Sequence, residues 1–338
     1  TILVSGKADL IGMARQSLAD PETPNKAKEG RFLDIRRCVG CLHGCVGHID
    51  TGRRGTCELN PMIGHEADPD YQIRKTETPK NVLIIGAGPG GLSAAITAAQ
   101  CGHHVKVYDK DKWVGGSYRI ASIPPGKGEI ANFCAWQAHT LKKLGVPVIL
   151  NTEVTKELVE QEQPDVIAAT GVTPIIPKKI SGVDKDLVVL GQDVLSSAVN
   201  TGQRVVVAGG GLVGVEVANY LASLLKDVTI VEMRKGIALD ETPAPRKDLL
   251  RDIHNNGVRV LTETSVKEIK EGSVVVTGKT EEEIPADTVV LAIGRVSNTV
   301  LADQLKEAGY DVRIIGDAHT PALAGAANRE GHLTALSL

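Results

Sequence analysis

Aromatic residues make up only 3% of the 338-residue chain, leaving few rings on which nucleic-acid bases stack. The formal net charge of -3 supplies no positive footprint for a phosphate backbone. Nucleic acid is therefore excluded as a partner. No uninterrupted run of about 18 apolar residues occurs, and the N-terminus lacks a charged start followed by an apolar core. These absences argue against a membrane partner and lead to the expectation of a cytoplasmic protein, in a compartment where thiols stay reduced. The chain does not begin with Met, which reads as processing or truncation. Cysteine is scarce. Outside one short stretch there are only Cys101 and Cys134, far apart and in no C-x-x-C, so they read as small buried apolar residues.

With 42% hydrophobic residues, a chain of this length builds two or three globular domains. The stretch Arg37 to Glu66 holds the other four cysteines, Cys38, Cys41, Cys45 and Cys57, spaced C-x2-C-x3-C-x11-C. Thiolates this dense read as metal ligands rather than unligated thiols, and five glycines from Gly40 to Gly55 let the backbone wrap closely. Structural zinc competes with iron and sulfur here, but zinc sites usually present two separated C-x2-C knuckles. Three ligands in one run with Cys57 behind them fit the corners of a cubane [4Fe-4S] cluster better. No long helix or strand is expected through this segment.

After a polar linker from Asp68 to Lys80, Val82 to Ile85 runs into Gly86-Ala87-Gly88-Pro89-Gly90-Gly91, then an Ala-rich helical stretch, Val105 to Tyr108 and Asp109. Strand, Gly-x-Gly-x-x-Gly turn, helix, strand and acid form the dinucleotide-binding fingerprint in its required context. Gly86 makes the tight turn, Gly88 admits a pyrophosphate to the backbone, and Gly91 lets helix pack on strand. The pattern occurs again at Val205 to Ala208, Gly209, Gly211 and Gly214, a helix, Val228 to Val231 and Glu232. From first glycine to acid the offset is 23 residues in both copies. Two dinucleotides are implied. Each copy closes with a similar strand, Asp165 to Gly171 and Asp287 to Gly294, with Pro174, Pro177 and Ser181-Gly182 forming a linker. Val312 to Ile315 ends in Gly316-Asp317, and Ala322 to Ala335 reads as a small-residue helix. Glu232 favours NADH over NADPH, since a carboxylate accepts from a ribose 2'-OH and repels a 2'-phosphate, with Arg234 and Lys235 placed to offset the repulsion. His103 and His104 read as surface residues, Lys279 to Glu283 as a solvated turn, and Ala8 to Gly12 as one short strand.

The run Ala8-Asp9-Leu10-Ile11-Gly12-Met13-Ala14-Arg15 through Asp20-Pro21 resembles the last strand and following loop of the flavin-binding barrel in old yellow enzyme relatives. Cys57-Glu58-Leu59-Asn60-Pro61 and Gly64-His65-Glu66 resemble the cluster segment of the 2,4-dienoyl-CoA reductase, 2-enoate reductase and trimethylamine dehydrogenase family. The order of the two fingerprints is similar to the two-domain module of thioredoxin reductase and glutathione reductase relatives. This resemblance implies an α/β fold with two Rossmann-like domains. An FAD domain (81–178 and 286–338) is interrupted by an inserted NAD(P)H domain (179–285), and both follow a barrel remnant (1–37) and a cluster segment with linker (38–80). It further implies FAD at Gly86, Gly88, Gly91, Asp109, Gly116 and Asp317, and NAD(P)H at Gly209, Gly211, Gly214 and Glu232. Glu216 then lies near the nicotinamide, or is an ordinary exposed helix residue. Arg15 would hold the phosphate of an FMN, if the rest of the barrel is present. The implied activity is that of an NAD(P)H-dependent flavin oxidoreductase, with electrons passing through FAD and the cluster to an FMN barrel that reduces an activated C=C bond of a small-molecule substrate. Amine dehydrogenation of the trimethylamine dehydrogenase type, or a standalone electron-transfer or nucleotide-binding subunit, are the alternatives. An exposed barrel remnant favours association into oligomers.

Overall fold

The computed structural model describes residues 2–162 and 164–338; Thr1, the first position of the expected N-terminal segment, lies outside them. Two short helices, α1 (Arg15–Ala19) and α2 (Thr23–Lys28), precede the cysteine segment, which holds only a five-residue turn at His43–Gly47. A first α/β unit follows: β1 (Asn81–Ile85), α3 (Pro89–Cys101), β2 (His104–Tyr108), α4 (Gly116–Ile120), α5 (Ile130–Lys143), β3 (Val148–Ile149), α6 (Lys156–Glu162), β4 (Asp165–Ala168) and β5 (Val172–Pro174). The second contains β6 (Val188–Leu190), α7 (Gly191–Leu195), β7 (Arg204–Ala208), α8 (Leu212–Ser223), β8 (Asp227–Val231), α9 (Pro243–Asn255) and β9 (Arg259–Leu261). It continues through β10 (Ser265–Lys270), β11 (Ser273–Thr277), β12 (Glu281–Pro285) and β13 (Thr288–Leu291). The chain then returns through β14 (Arg295–Ser297), α10 (Val300–Glu307), β15 (Val312–Ile314) and α11 (Ala324–Leu336).

The first sheet has the strand order β15-β4-β1-β2-β3 and the second β6-β13-β7-β8-β9, and the pairings within each are parallel. Parallel strands covered on both faces need continuous apolar runs, and Val82 to Ile85, Val205 to Ala208 and Val289 to Leu291 are all buried. Because β15 pairs with β4, the sheet begun by β1 is finished only after the second unit has been threaded in. The two crossings lie side by side, β14 pairing antiparallel with β5. Pro174 of the expected linker therefore ends a strand.

Three expectations fail. Ala8 to Gly12 forms no strand, because nothing beside it supplies a ladder, and its Leu10 is exposed. Glu281 to Glu283 lie on β12 rather than in a turn, their carboxylates paired outward with Lys267, Arg259 and Lys270. His103 is buried, its Nδ1 accepting from Lys80 N at 3.1 Å, while His104 is exposed as expected.

Candidate functional site: two glycine turns and a cysteine cavity

Both glycine turns sit where strands of a parallel sheet end, the position at which open α/β sheets bind ligands. After β1 the backbone turns at Gly86 with φ +110°, and a Cβ there would lie 2.2 Å from Ala169 O beyond β4. A Cβ on Gly91 would lie 2.0 Å from Gly86 O, so α3 starts directly against the turn. Gly88 differs, since a Cβ on it would meet nothing within 4 Å. Asp109, after β2, accepts from Ala87 N at 2.6 Å and Asp111 N at 2.8 Å, tying the acid to the turn. Burial pushes its carboxyl above the ordinary value, against those hydrogen bonds.

The flanks of this turn come from distant segments. Gly115 N donates to Ala87 O at 2.7 Å, and a Cβ on Gly116 would stand 3.5 Å from Gly88 Cα. Asp317 follows β15; its Oδ1 accepts from Ala322 N at 3.0 Å and its Oδ2 lies 3.5 Å from Arg295 Nη1. Helix α11 packs on α3 so closely that a Cβ on Gly331 would lie 2.2 Å from Gly90 O. Tyr118 Oη on α4 and Arg119 Nε beside it are buried without a hydrogen-bond partner among the described residues, as is Arg329 Nε on α11. A glycine turn left open at Gly88 and leading straight into the start of α3 fits a phosphate-bearing ligand such as FAD.

The second turn repeats the design. Gly209 has φ +109°, with a Cβ position 2.3 Å from Ala292 O, and a Cβ on Gly214 would lie 1.9 Å from Gly209 O. Buried Glu232 accepts from Gly210 N at 2.6 Å and Arg234 N at 2.7 Å, and Arg234 Nε lies 3.2 Å from it. Beside Gly211 stands Asp240, whose Oδ2 accepts from Leu212 N at 3.2 Å. Glu216 on α8 is buried rather than an exposed helix residue, and Lys127 of the first unit pairs with it. Burial pushes the Glu216 carboxyl up, with the Lys127 ammonium opposing. Sequence reasoning missed Lys127 and Asp240: Lys127 stands 89 positions from its partner, and no local pattern marks either residue.

The cysteine segment is drawn into a tight coil. Leu42 adopts φ +61°, Thr56 N donates to Gly44 O at 2.7 Å, and a Cβ on Gly44 would collide with Thr56 at 2.4 Å. Cys38, Cys41, Cys45 and Cys57 line one cavity together with Leu18 and Arg15, so Arg15 stands at the cysteines. Helix α1 reaches this coil through Gln16, whose Oε1 accepts from Cys38 N at 2.9 Å. Burial pushes the Cys41 and Cys57 thiols up, so a cation is needed to make both thiolates. Four cysteines on one cavity supply the four thiolates that either a cubane cluster or a zinc ion takes. Cys41 also converges with His43 and Glu58. His43 also reaches Glu241 at 3.1 Å, and although burial disfavours its charge, hydrogen bonds to Glu241 and Glu58 push it up to about 10.

Helices α4 and α5 connect the cavity to the first glycine turn, Gly116 at the start of α4 standing beside Gly88 and Trp136 of α5 packing against the apolar clusters of both. Tyr118, Phe133 and Trp136 of α4 and α5 pack with Leu59, Cys38 and Cys57, and Phe133 meets Tyr118 edge-on at 6.0 Å between ring centroids. Cys101 and Cys134 are buried and unpaired, as their apolar reading requires. No helix of the described residues is long and apolar enough to cross a membrane.

Comparison with known proteins extends this geometry. The chain is 41% identical over 328 residues to the NADH oxidase of Thermoanaerobacter brockii, covering 94% of this chain and 50% of that protein. It is 37% identical over 322 residues to the cinnamate reductase of Clostridium sporogenes, covering 94% of this chain and 48% of that protein. The chain thus spans about half the length of the curated relatives it matches. A solved 2-naphthoyl-CoA reductase in complex with 2-naphthoyl-CoA superposes with a TM-score of 0.97 at 31% identity, over 100% of this chain and 52% of that one. Residues 80–319 match the description Pyridine nucleotide-disulphide oxidoreductase, and with both glycine turns, the split first sheet and these relatives in agreement, the chain belongs to that oxidoreductase family.

Proposed function

We propose that this chain is the electron-input module of a reductase acting on activated C=C bonds, fed by a nicotinamide nucleotide. The observation that carries the reading is the pair of glycine turns at sheet ends, the first connected through α4 and α5 to a four-cysteine cavity. When bound, FAD would convert the hydride of NAD(P)H into single electrons, a [4Fe-4S] cluster would carry them, and an FMN held by a barrel would deliver them to the substrate.

The chain's own residues supply the binding. Gly86, Gly88 and Gly91 bring the amides of α3 to the FAD pyrophosphate, with Asp109 toward the adenosine ribose and Gly116 and Asp317 along the flavin. Gly209, Gly211 and Gly214 do the same for the nicotinamide nucleotide at α8. Buried Glu232 favours NADH, and Arg234 bonded to it softens the discrimination. Buried Glu216 and half-buried Lys127 form an ion pair linking the two units where the nicotinamide approaches the flavin. Cys38, Cys41, Cys45 and Cys57 hold the cluster, and Arg15 holds the FMN phosphate when a barrel is present. The relatives named cinnamate reductase and 2-naphthoyl-CoA reductase support an unsaturated carboxylic acid or thioester as the substrate class.

Anaerobically purified chain tests this. About four irons with matching sulfide, extractable FAD, and bleaching of that flavin by NADH are expected. Zinc in place of iron, or a flavin that no nicotinamide nucleotide reduces, would overturn the proposal.

A further inference from the structure

We infer that Asp240 is a displaceable carboxylate plug in the pyrophosphate cradle of the second glycine turn, so that it sets the affinity for nucleotide. The inference rests on reading that turn as the nicotinamide nucleotide site. A pyrophosphate bound there needs the first amides of α8 and the open side of Gly211. In the structure a carboxylate already occupies both. Asp240 Oδ2 accepts from Leu212 N at 3.2 Å, and the nearest atoms to a Cβ on Gly211 are Arg234 Nη2 and Asp240 Oδ2, both at 3.7 Å. Two anions cannot share one N–H, and their like charges repel, so nucleotide entry requires Asp240 to leave.

The surrounding loop is built so that the side chain alone can go. Its backbone is anchored by Ala238 N donating to Gly210 O at 2.7 Å and by Arg246 Nε donating to Ala238 O at 3.0 Å. Glu241, the next residue, is held on the other side by His43. The Asp240 side chain itself is 52% exposed, and Arg234 Nη2 stands 3.9 Å from its Oδ1. A rotation off Leu212 N therefore has a waiting cation as its second position. The first glycine turn has no such occupant, since nothing lies within 4 Å of a Cβ on Gly88. The two turns thus differ in one respect: the first is open to a ligand kept permanently, while the second exchanges its ligand against a resident anion.

The test is calorimetric titration of the full chain with ADP-ribose, which carries the pyrophosphate without redox chemistry, in excess FAD to fill the first turn. Asp240→Asn removes the charge and keeps the shape, and Asp240→Ser serves as a second variant should the first fold poorly. Both are expected to bind ADP-ribose about two- to fivefold tighter than the wild type at low salt, the range for a charge at a helix N-terminus. The gain should shrink at high salt, and adenosine, which lacks phosphates, should bind all three proteins equally. Wild-type and variant affinities for ADP-ribose that coincide, or variants that bind more weakly, would sink the plug and leave the nucleotide site standing. Failure of all three proteins to bind any nucleotide would overturn the site and the plug together.

Discussion

Gly88 and Gly91 belong to the same turn, and a single methyl group should separate their roles. At Gly88 the backbone has φ -76° and ψ 175°, which any residue adopts, and a Cβ would meet nothing. Gly88→Ala should therefore leave the unfolding free energy from urea titration unchanged to within about 0.5 kcal/mol, while the methyl fills the space a pyrophosphate needs and flavin is lost on gel filtration. At Gly91 the same methyl would lie 2.0 Å from Gly86 O, forcing α3 off its strand at a cost of about 1–3 kcal/mol. Gly91→Ala should lose both stability and flavin. Equal behaviour of the two variants would contradict this division. These glycines were legible in the sequence because a fixed spacing carries their geometry. Asp240 and Lys127 were not, since each acquires its meaning from a partner brought by folding, Leu212 N and Glu216 respectively.

Among the elements, the strands and helices flanking the two glycine turns were readable from apolar runs ending in glycine. The structure lengthens β1, β2, β7 and β8 by a residue, shortens the closing strands to Asp165–Ala168 and Thr288–Leu291, and adds elements such as α5 and α9 that no such run marked. The N-terminal segment was less readable because its docking depends on side chains of α5. Trp136 Nε1 donates to Asp34 O at 3.0 Å, His139 Nε2 lies 2.9 Å from Asp34 Oδ1, and Lys143 Nζ lies 2.5 Å from Oδ2. Hydrogen bonds from Lys143, His139 and Arg31 hold the Asp34 carboxyl well below the usual carboxylate range, Lys143 contributing most. A depressed folded pKa stabilises above the unfolded value, about 3.9, and that contribution is lost as pH falls toward the folded value. Asp34→Asn should therefore lower Tm by about 1–3 °C at pH 7, a modest loss because Lys143 is solvated. The gap between the proteins should hold at pH 5 and close progressively below about pH 4. A gap that stays constant down to pH 3 would show that the carboxylate charge does not pin the segment.

At the scale of the whole molecule, the repeat with its constant offset made the insertion of one unit into another readable, because a fingerprint must close its own sheet and the first could do so only with β15. What the repeat could not reveal is where the cysteine coil sits. It bridges the units: one wall is formed by Tyr118 and Phe133 of the first, and its outer turn rests on the second through His43 against Glu241 and Gly47 against Thr242. His43 and Glu241 are 198 positions apart, beyond the reach of any local pattern. The side chain of Glu241 is almost fully buried, so truncating it removes a hydrogen bond to the coil that solvent does not replace. Glu241→Ala should speed amide hydrogen exchange in residues 43–52 by about tenfold, equivalent to ~1.4 kcal/mol of lost local stability. Exchange as slow as in the wild type would mean that the cysteines and the apolar wall alone hold the coil. Faster exchange would establish that the coil is held by both units, through the apolar wall on one side and Glu241 on the other.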